Sequence, residues 1–145
     1  YSVGVTKPVR VHDDDGTEAS RLYVSVDGGM SDNARTALYK ATYSARIASR
    51  ESHSEPALVR VVGKHCESGD IVVDAEYLPG DVAPGDIVAV PATGAYCYSL
   101  SSNYNALGRP PMVAVCEGGH HLMVAGETVD DVLARDRGVS RQPGS

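Results

Sequence analysis

The chain has 145 residues, of which 42% are apolar and 22% are charged, and its net charge is −6. This length is sufficient for one domain with its own core, and the composition is that of a globular protein. The negative charge argues against binding of a polyanion through counterion release. No run of about 18 apolar residues occurs, and the first residues lack the basic start and apolar stretch of a secretory signal.

The aromatic and cysteine contents indicate the composition of the core and the state of the thiols. Eight tyrosines occur, but no Phe and no Trp, so a core of Val, Ala, Leu and Ile is expected. The cysteines Cys66, Cys97 and Cys116 are odd in number and form no CxxC pair. This pattern predicts reduced thiols in a cytoplasmic protein.

In chain order, an acidic loop at residues 12–16 precedes a series of short strands. The acids of this loop predict a solvated turn, with a metal role as the alternative. Alternating or apolar runs separated by Gly, Pro and Asp predict strands at 21–27, 42–48, 57–62, 71–77, 87–90, 112–116 and 122–125. The segment 117–121 predicts a hairpin turn between the last two.

Two short helices complete the prediction. One is a turn at residues 96–100. The other begins near a capping-box pattern at Thr128, has an apolar face that includes Val132 and ends at Gly138. Residues 141–145 are expected to be a frayed tail. The fold class is therefore predicted as mostly β, an antiparallel barrel or sandwich with one or two short helices.

Three polar clusters interrupt the predicted strands, and each is longer than a tight turn requires. They are DGGMSDNARTALY (27–39), KHCESGD (64–70) and ATGAYCYSLSSNYN (92–105). Long loops on a β scaffold are where binding groups tend to lie. Taken singly, each has a structural explanation: Arg35 and Tyr39 as surface residues, Cys66 as a small buried apolar residue, and Tyr96 as rim packing. The His and Cys residues have no recognised zinc spacing.

Taken together, in this order and at these separations, the motifs VSVDGGMSDNARTALY, VVGKHCESGD and VPATGAYCYSLSSNYNALGRPP closely resemble the diaminopimelate decarboxylase family. The resemblance covers about residues 1–137, which correspond to the C-terminal β domain of that family. It implies that residues 138–145 are a flexible tail. It also implies that the family's N-terminal (α/β)8 barrel, with the lysine that forms the Schiff base with pyridoxal 5'-phosphate, lies outside this chain.

The resemblance implies roles for five side chains. Arg35 and Tyr39 match the substrate-binding pair of the motif DNxRxxLY, and Cys66 matches the proton donor. Glu67 matches the substrate-binding acid, and Tyr96 matches a residue that contacts both cofactor and substrate. A guanidinium suits a carboxylate and a thiol suits proton delivery. The family pattern has Pro after the Arg, where this chain has Thr36.

The same resemblance implies a homodimer in which the loop carrying Cys66 and Glu67 enters the neighbouring subunit's active site. The expected reaction is decarboxylation of meso-diaminopimelate to lysine, and the expected partners are the barrel domain and a second copy. Two alternatives stay open: a decarboxylase of another basic amino acid, and a β domain that binds a ligand or partner without chemistry. Relatives that act on ornithine or arginine usually carry CD where this chain has Cys66-Glu67.

Overall fold

The computed structural model describes residues 1–12, 15, 16, 18–136 and 138. The acids Asp13 and Asp14 of the predicted loop, and the predicted tail at 141–145, lie outside the described residues. The chain forms two compact units, residues 1–101 and 102–145. No helix in the described part of the chain is both long and apolar enough to cross a membrane.

Strands are the main regular elements of the first unit, which has two short helices among its described residues. Its elements in chain order are β1 (Val3–His12), β2 (Glu18–Val26), α1 (Arg35–Tyr39), β3 (Arg46–Ile47), β4 (Pro56–Val62), β5 (Ile71–Pro79), β6 (Val88–Ala89) and α2 (Gly94–Leu100). The prediction of a mostly β domain with short helices is confirmed, including a helix at 96–100.

The main sheet has the strand order β1-β2-β4-β5. Strands β1 and β2 pair antiparallel, as do β4 and β5, but β2 and β4 run parallel. A parallel pair needs a long crossover, and the segment with α1 and β3 provides it. The sheet is therefore an open sheet, not a closed barrel, and it is not antiparallel throughout.

Strand β1 is an edge strand that the sequence patterns did not reveal. Pro8 lies in its middle, opposite Leu22 of β2. Proline cannot donate a ladder hydrogen bond, so it is tolerated in a strand only where one side has no neighbour. The edge position of β1 supplies that condition.

The predicted strand at 42–48 is mostly wrong. Only Arg46–Ile47 is strand, paired with Val88–Ala89 of β6, and residues 40–45 are irregular. Tyr43 is not part of a sheet ladder. Its hydroxyl instead contacts the side chains of Arg35 and Cys97.

The core of the first unit is aliphatic, as the composition predicts. Its most buried members, each at most 1% exposed, are Val24, Val59, Val61, Val72, Val73, Leu78 and Val88. Val59 and Val61 alternate along β4, so that strand buries one face, whereas Val72 and Val73 of β5 are consecutive and both buried. The tyrosines Tyr1 and Tyr43 only border this cluster.

An ion-pair cluster fastens the chain before β6. Arg50 donates to both carboxylate oxygens of Asp86, at 2.7 and 2.9 Å, and to Asp81 at 2.9 Å. Asp86 is buried and also accepts the amide of Ala83 at 3.0 Å. The hydrogen bonds from Arg50 and from that amide lower the pKa of Asp86 to about 2.

The second unit contains the predicted hairpin, formed by β7 (Met112–Cys116) and β8 (Gly119–Val124). Glu117 and Gly118 both have positive φ, 48° and 78°, at its turn. Two such residues form the tight turn whose twist matches that of the flanking strands. The strand predicted at 122–125 therefore begins earlier than expected, and His120 and His121 are strand residues.

The final helix, α3 (Val129–Leu133), begins with the capping box predicted from the sequence. The Thr128 hydroxyl accepts the Asp131 amide at 3.2 Å, and the Asp131 carboxylate accepts the Thr128 amide at 2.8 Å. The helix is shorter than the predicted extent to Gly138. Hydrogen bonds from Thr128 lower the pKa of Asp131.

Candidate active-site half

Helix α1 presents the two residues of the first predicted pair. Arg35 and Tyr39 are its first and last residues, so the four-residue spacing does place them one helical turn apart. Thr36 anchors the helix, because its buried hydroxyl donates to the Val72 carbonyl of β5 at 2.9 Å. Lys40 ends it in the left-handed conformation, φ 55°. Thr36, where the family pattern has proline, thus ties the helix to the main sheet.

Arg35 and Tyr96 are brought together across the gap between α1 and α2. The guanidinium carbon of Arg35 lies 5.0 Å from the centroid of the Tyr96 ring. This is a cation–π contact, which holds the cation beside the aromatic ring. The Tyr96 side chain is itself 60% exposed. An aromatic hydroxyl and a cation are therefore available at one edge of the domain.

Tyr43 supports Arg35 from the other side, a role that the sequence patterns missed. Nη1 of Arg35 donates to its hydroxyl at 3.5 Å, and the Sγ of Cys97 lies 3.8 Å from the same oxygen. Burial and the neighbouring Cys97 raise the pKa of Tyr43. Its phenol therefore stays protonated and neutral beside the guanidinium.

Cys97 is a buried cysteine with a structural role. It is buried in α2, and its thiol donates to Oδ1 of Asn33 at 3.2 Å. Asn33 is only 1% exposed and belongs to the loop before α1. The thiol therefore packs α2 against the segment that leads into Arg35.

Cys66 has the opposite environment, so the explanation of this residue as a small buried apolar side chain is wrong. It is exposed, and its Sγ donates to Oε1 of Glu67 at 3.5 Å. The preceding His65 contacts the Ser31 hydroxyl at 3.0 Å through Nε2. A thiol and a carboxylate thus stand side by side on a surface loop, accessible to a group outside this chain.

Four of the five predicted residues form two pairs, Arg35 with Tyr96 and Cys66 with Glu67. Tyr39 belongs to neither pair, and its side chain is 63% exposed at the end of α1. Sequence reasoning missed Asp70, whose buried carboxylate accepts backbone amides from both loops. The signal available in the sequence was the presence of Gly29 in the first motif and of Gly63 and Asp70 in the second.

Among the residues that the structure describes, no group of three or more His, Cys, Asp and Glu side chains is placed to hold a metal ion. The surface that carries Arg35 and Tyr96 has groups that suit an organic anion. The exposed Tyr96 ring with Arg35 at 5.0 Å offers a hydroxyl and a positive charge to an acidic aromatic group. The chemistry of Tyr96 and Arg35 therefore suits pyridoxal phosphate.

The fold and the site define the class: an open sheet domain that displays polar side chains on two short helices and an exposed loop. The model of the family described as "Pyridoxal-dependent decarboxylase, C-terminal sheet domain" matches residues 2–94. The chain belongs to this family of pyridoxal-dependent decarboxylases, and the resemblance seen in its motifs is confirmed.

Three similar proteins bear the name diaminopimelate decarboxylase. Diaminopimelate decarboxylase of Mycobacterium tuberculosis is 58% identical over 134 residues, which cover 92% of this chain and 29% of that protein. The Bacillus subtilis enzyme is 44% identical over 136 residues, covering 94% and 29%. A solved structure of the M. jannaschii enzyme in co-complex with L-lysine has a TM-score of 0.77 and 31% identity, covering 93% and 28%. The chain thus spans less than a third of the length of these relatives.

Proposed function

We propose that this chain is the C-terminal sheet domain of a decarboxylase that converts meso-diaminopimelate to lysine with pyridoxal 5'-phosphate. The observation that carries the proposal is the exposed Cys66 thiol, 3.5 Å from Glu67 on a loop of this sheet domain. The 58% identity with a diaminopimelate decarboxylase supports the choice of substrate. When bound, pyridoxal phosphate supplies the electron-accepting ring that makes loss of CO2 feasible.

In this proposal, α1 and Glu67 hold the end of the substrate that does not react. The guanidinium of Arg35, held beside Tyr96, takes the distal carboxylate in fork fashion through two N–H groups. Tyr39 adds a hydroxyl to the same carboxylate. Glu67 takes the distal ammonium, for which a carboxylate is the complementary charge. An amino acid without this second charged end could not make these contacts with Arg35 and Glu67.

Cys66 holds the proton that the product carbon receives after CO2 has left. Its exposure allows the sulfur to reach a reacting carbon that is bound mainly by other segments. The neighbouring Glu67 orients the S–H group through the 3.5 Å contact. A thiol is suited to this step because it gives and regains a proton near neutral pH.

The completing partners are the barrel domain of the same enzyme, which carries the cofactor-binding lysine, and a second subunit whose pocket receives the Cys66 loop. Large exposed side chains on α1 and α2 support the proposal that these partners cover this surface. Leu38, Tyr39, Tyr96 and Tyr98 are 62, 63, 60 and 44% exposed. The free thiols of Cys66, Cys97 and Cys116 support the reducing cytoplasm as the location.

A substrate panel on the purified full-length enzyme that contains this chain tests the proposal. We expect kcat/KM for CO2 release from meso-diaminopimelate to exceed the values for ornithine and arginine by about 100-fold. We also expect Glu67→Asp to raise KM for diaminopimelate about tenfold, because the carboxylate is drawn back by one methylene.

Either of two results would count against this assignment. If kcat/KM for ornithine or arginine exceeded that for meso-diaminopimelate, the chain would belong to a decarboxylase of another basic amino acid. An unchanged KM in Glu67→Asp would refute the proposed contact between Glu67 and the distal ammonium, but it would not refute the proposed reaction. The matched control is Glu76→Asp on β5, whose carboxylate accepts backbone amides away from the Cys66 loop.

A further inference from the structure

One buried carboxylate joins the loop that carries Cys66 to the loop that precedes α1. Asp70 is 3% exposed. Its Oδ1 accepts the amide of Met30 at 2.6 Å, and its Oδ2 accepts the amide of His65 at 2.7 Å. Each oxygen therefore serves a different loop. We call the Asp70 carboxylate and these two amides the Asp70 clip.

The two loops are shaped around this carboxylate. A Cβ added to Gly29 would lie 2.6 Å from Oδ1 of Asp70, and a Cβ added to Gly63 would lie 2.2 Å from Oδ2. Both distances are far below contact, so the backbone can approach the carboxylate only where a side chain is lacking. The amide of Lys64 also donates to the carbonyl of Gly28 at 3.0 Å, which continues the link between the loops.

The partners of the clip are backbone groups, and this gives it geometric precision. In the described ranges, no Lys or Arg side chain forms an ion pair with Asp70. A carboxylate that accepts fixed amides holds the backbone itself, whereas a flexible cationic side chain would hold only its own end. Cys66 directly follows one clipped amide, and Arg35 begins its helix shortly after the other.

We propose that Asp70 is a positioning residue that sets the place of Cys66 and Glu67 relative to α1 and Arg35. Since the proposed dimer uses the Cys66 loop in one pocket and α1 in the other, the clip couples the two half-sites of the enzyme. The kinetic consequence rests on the proposed function. The placement of the loop does not, and it can be measured separately.

The test compares Asp70→Asn with Asp74→Asn in the full-length enzyme. Asparagine keeps one acceptor oxygen but points an N–H2 group at the other backbone amide, so one clip bond is lost. Asp74 is the matched control, because it lies on β5, the strand that follows Asp70, and its side chain is 62% exposed and paired with Arg60. Alkylation of Cys66 by iodoacetamide, followed by peptide mass spectrometry, reports the placement of the loop.

In Asp70→Asn we expect alkylation of Cys66 to be about threefold faster and kcat about tenfold lower, with cofactor affinity unchanged. Asp74→Asn should match the wild type in all three. An unchanged alkylation rate in folded Asp70→Asn overturns the inference whatever the substrate is, and so does an unchanged kcat. Absence of diaminopimelate decarboxylation in the wild type refutes the proposed function, and alkylation still decides whether Asp70 sets the loop.

A second variant separates positioning from mere stability. Gly63→Ala keeps the carboxylate but displaces it, so it should reproduce the faster alkylation of Cys66, and its effect should not add to that of Asp70→Asn. Additive effects, or a lower Tm with normal alkylation, would contradict the clip. If neither variant folds, hydrogen–deuterium exchange of the wild type decides: the amides of Met30 and His65 should be protected, and rapid exchange of either overturns the inference.

Discussion

Replacing Cys66 by alanine in the full-length enzyme separates chemistry from folding, because the three cysteines of this chain have three different environments. Cys66 is exposed on the loop that also carries Glu67, Cys97 is buried in α2, and Cys116 is exposed at the hairpin of the second unit. General acid catalysis contributes about 100- to 10,000-fold to a rate. Since water can also reach an exposed loop, we expect a value near the lower limit, a loss in kcat of about 100-fold.

The structure also predicts what Cys66→Ala leaves unchanged. The Sγ atom is exposed, so its removal creates no cavity, and stability should change by less than about 0.5 kcal/mol. Cofactor affinity should stay the same, because the Tyr96 and Arg35 pair is intact. Stopped CO2-release assays give kcat, the cofactor's visible absorbance gives its affinity, and thermal unfolding gives Tm.

The other two cysteines supply the controls. Cys97→Ala removes a buried thiol that donates to Asn33 at 3.2 Å, so it should lower the stability by about 1–2 kcal/mol. Cys116→Ala should leave both kcat and Tm at their wild-type values. If Cys66→Ala retains its turnover, or loses it only together with the cofactor, then the thiol is not the proton donor and the reasoning from its exposure fails.

Two further predictions concern charged groups. The pKa of Asp86 is lowered to about 2 by Arg50, so the stability this pair contributes is present above about pH 4 and is lost as the pH falls from about 4 to about 2. Allowing for solvent around Arg50, Asp86→Asn should cost about 1–2 kcal/mol at pH 7 and flatten the acid limb of a Tm-against-pH curve; an unaltered acid limb would contradict the lowered pKa. Arg35→Lys should raise KM for diaminopimelate about tenfold, since lysine loses both the stacking on Tyr96 and the fork. Arg60→Lys, which removes a similar contact over Tyr23 at 5.5 Å, should leave KM unchanged, and equal effects would reject a specific role for Arg35.

The strand pattern was predictable where local periodicity and burial coincide. The runs at 57–62 and 71–77 became β4 and β5, which contribute valines to the aliphatic core. In β5 the alternation predicted the strand but not its buried face, because Val72 and Val73 are both buried and Tyr77 is exposed. The hairpin of the second unit followed from its Gly-rich turn. At residues 42–48, the same alternation had another origin, since Tyr43 turns to Arg35 and Cys97 and only two residues join a ladder.

By itself, the sequence determined the family, the aliphatic core and the motif residues Arg35, Cys66 and Glu67, because these depend on residue type and local spacing. Only the tertiary structure decided which thiol is buried, that β2 and β4 run parallel, and that Asp70 binds both loops. The physical reason is distance along the chain. The amide of Met30 and the carboxylate of Asp70 are forty residues apart and meet only after the crossover has closed.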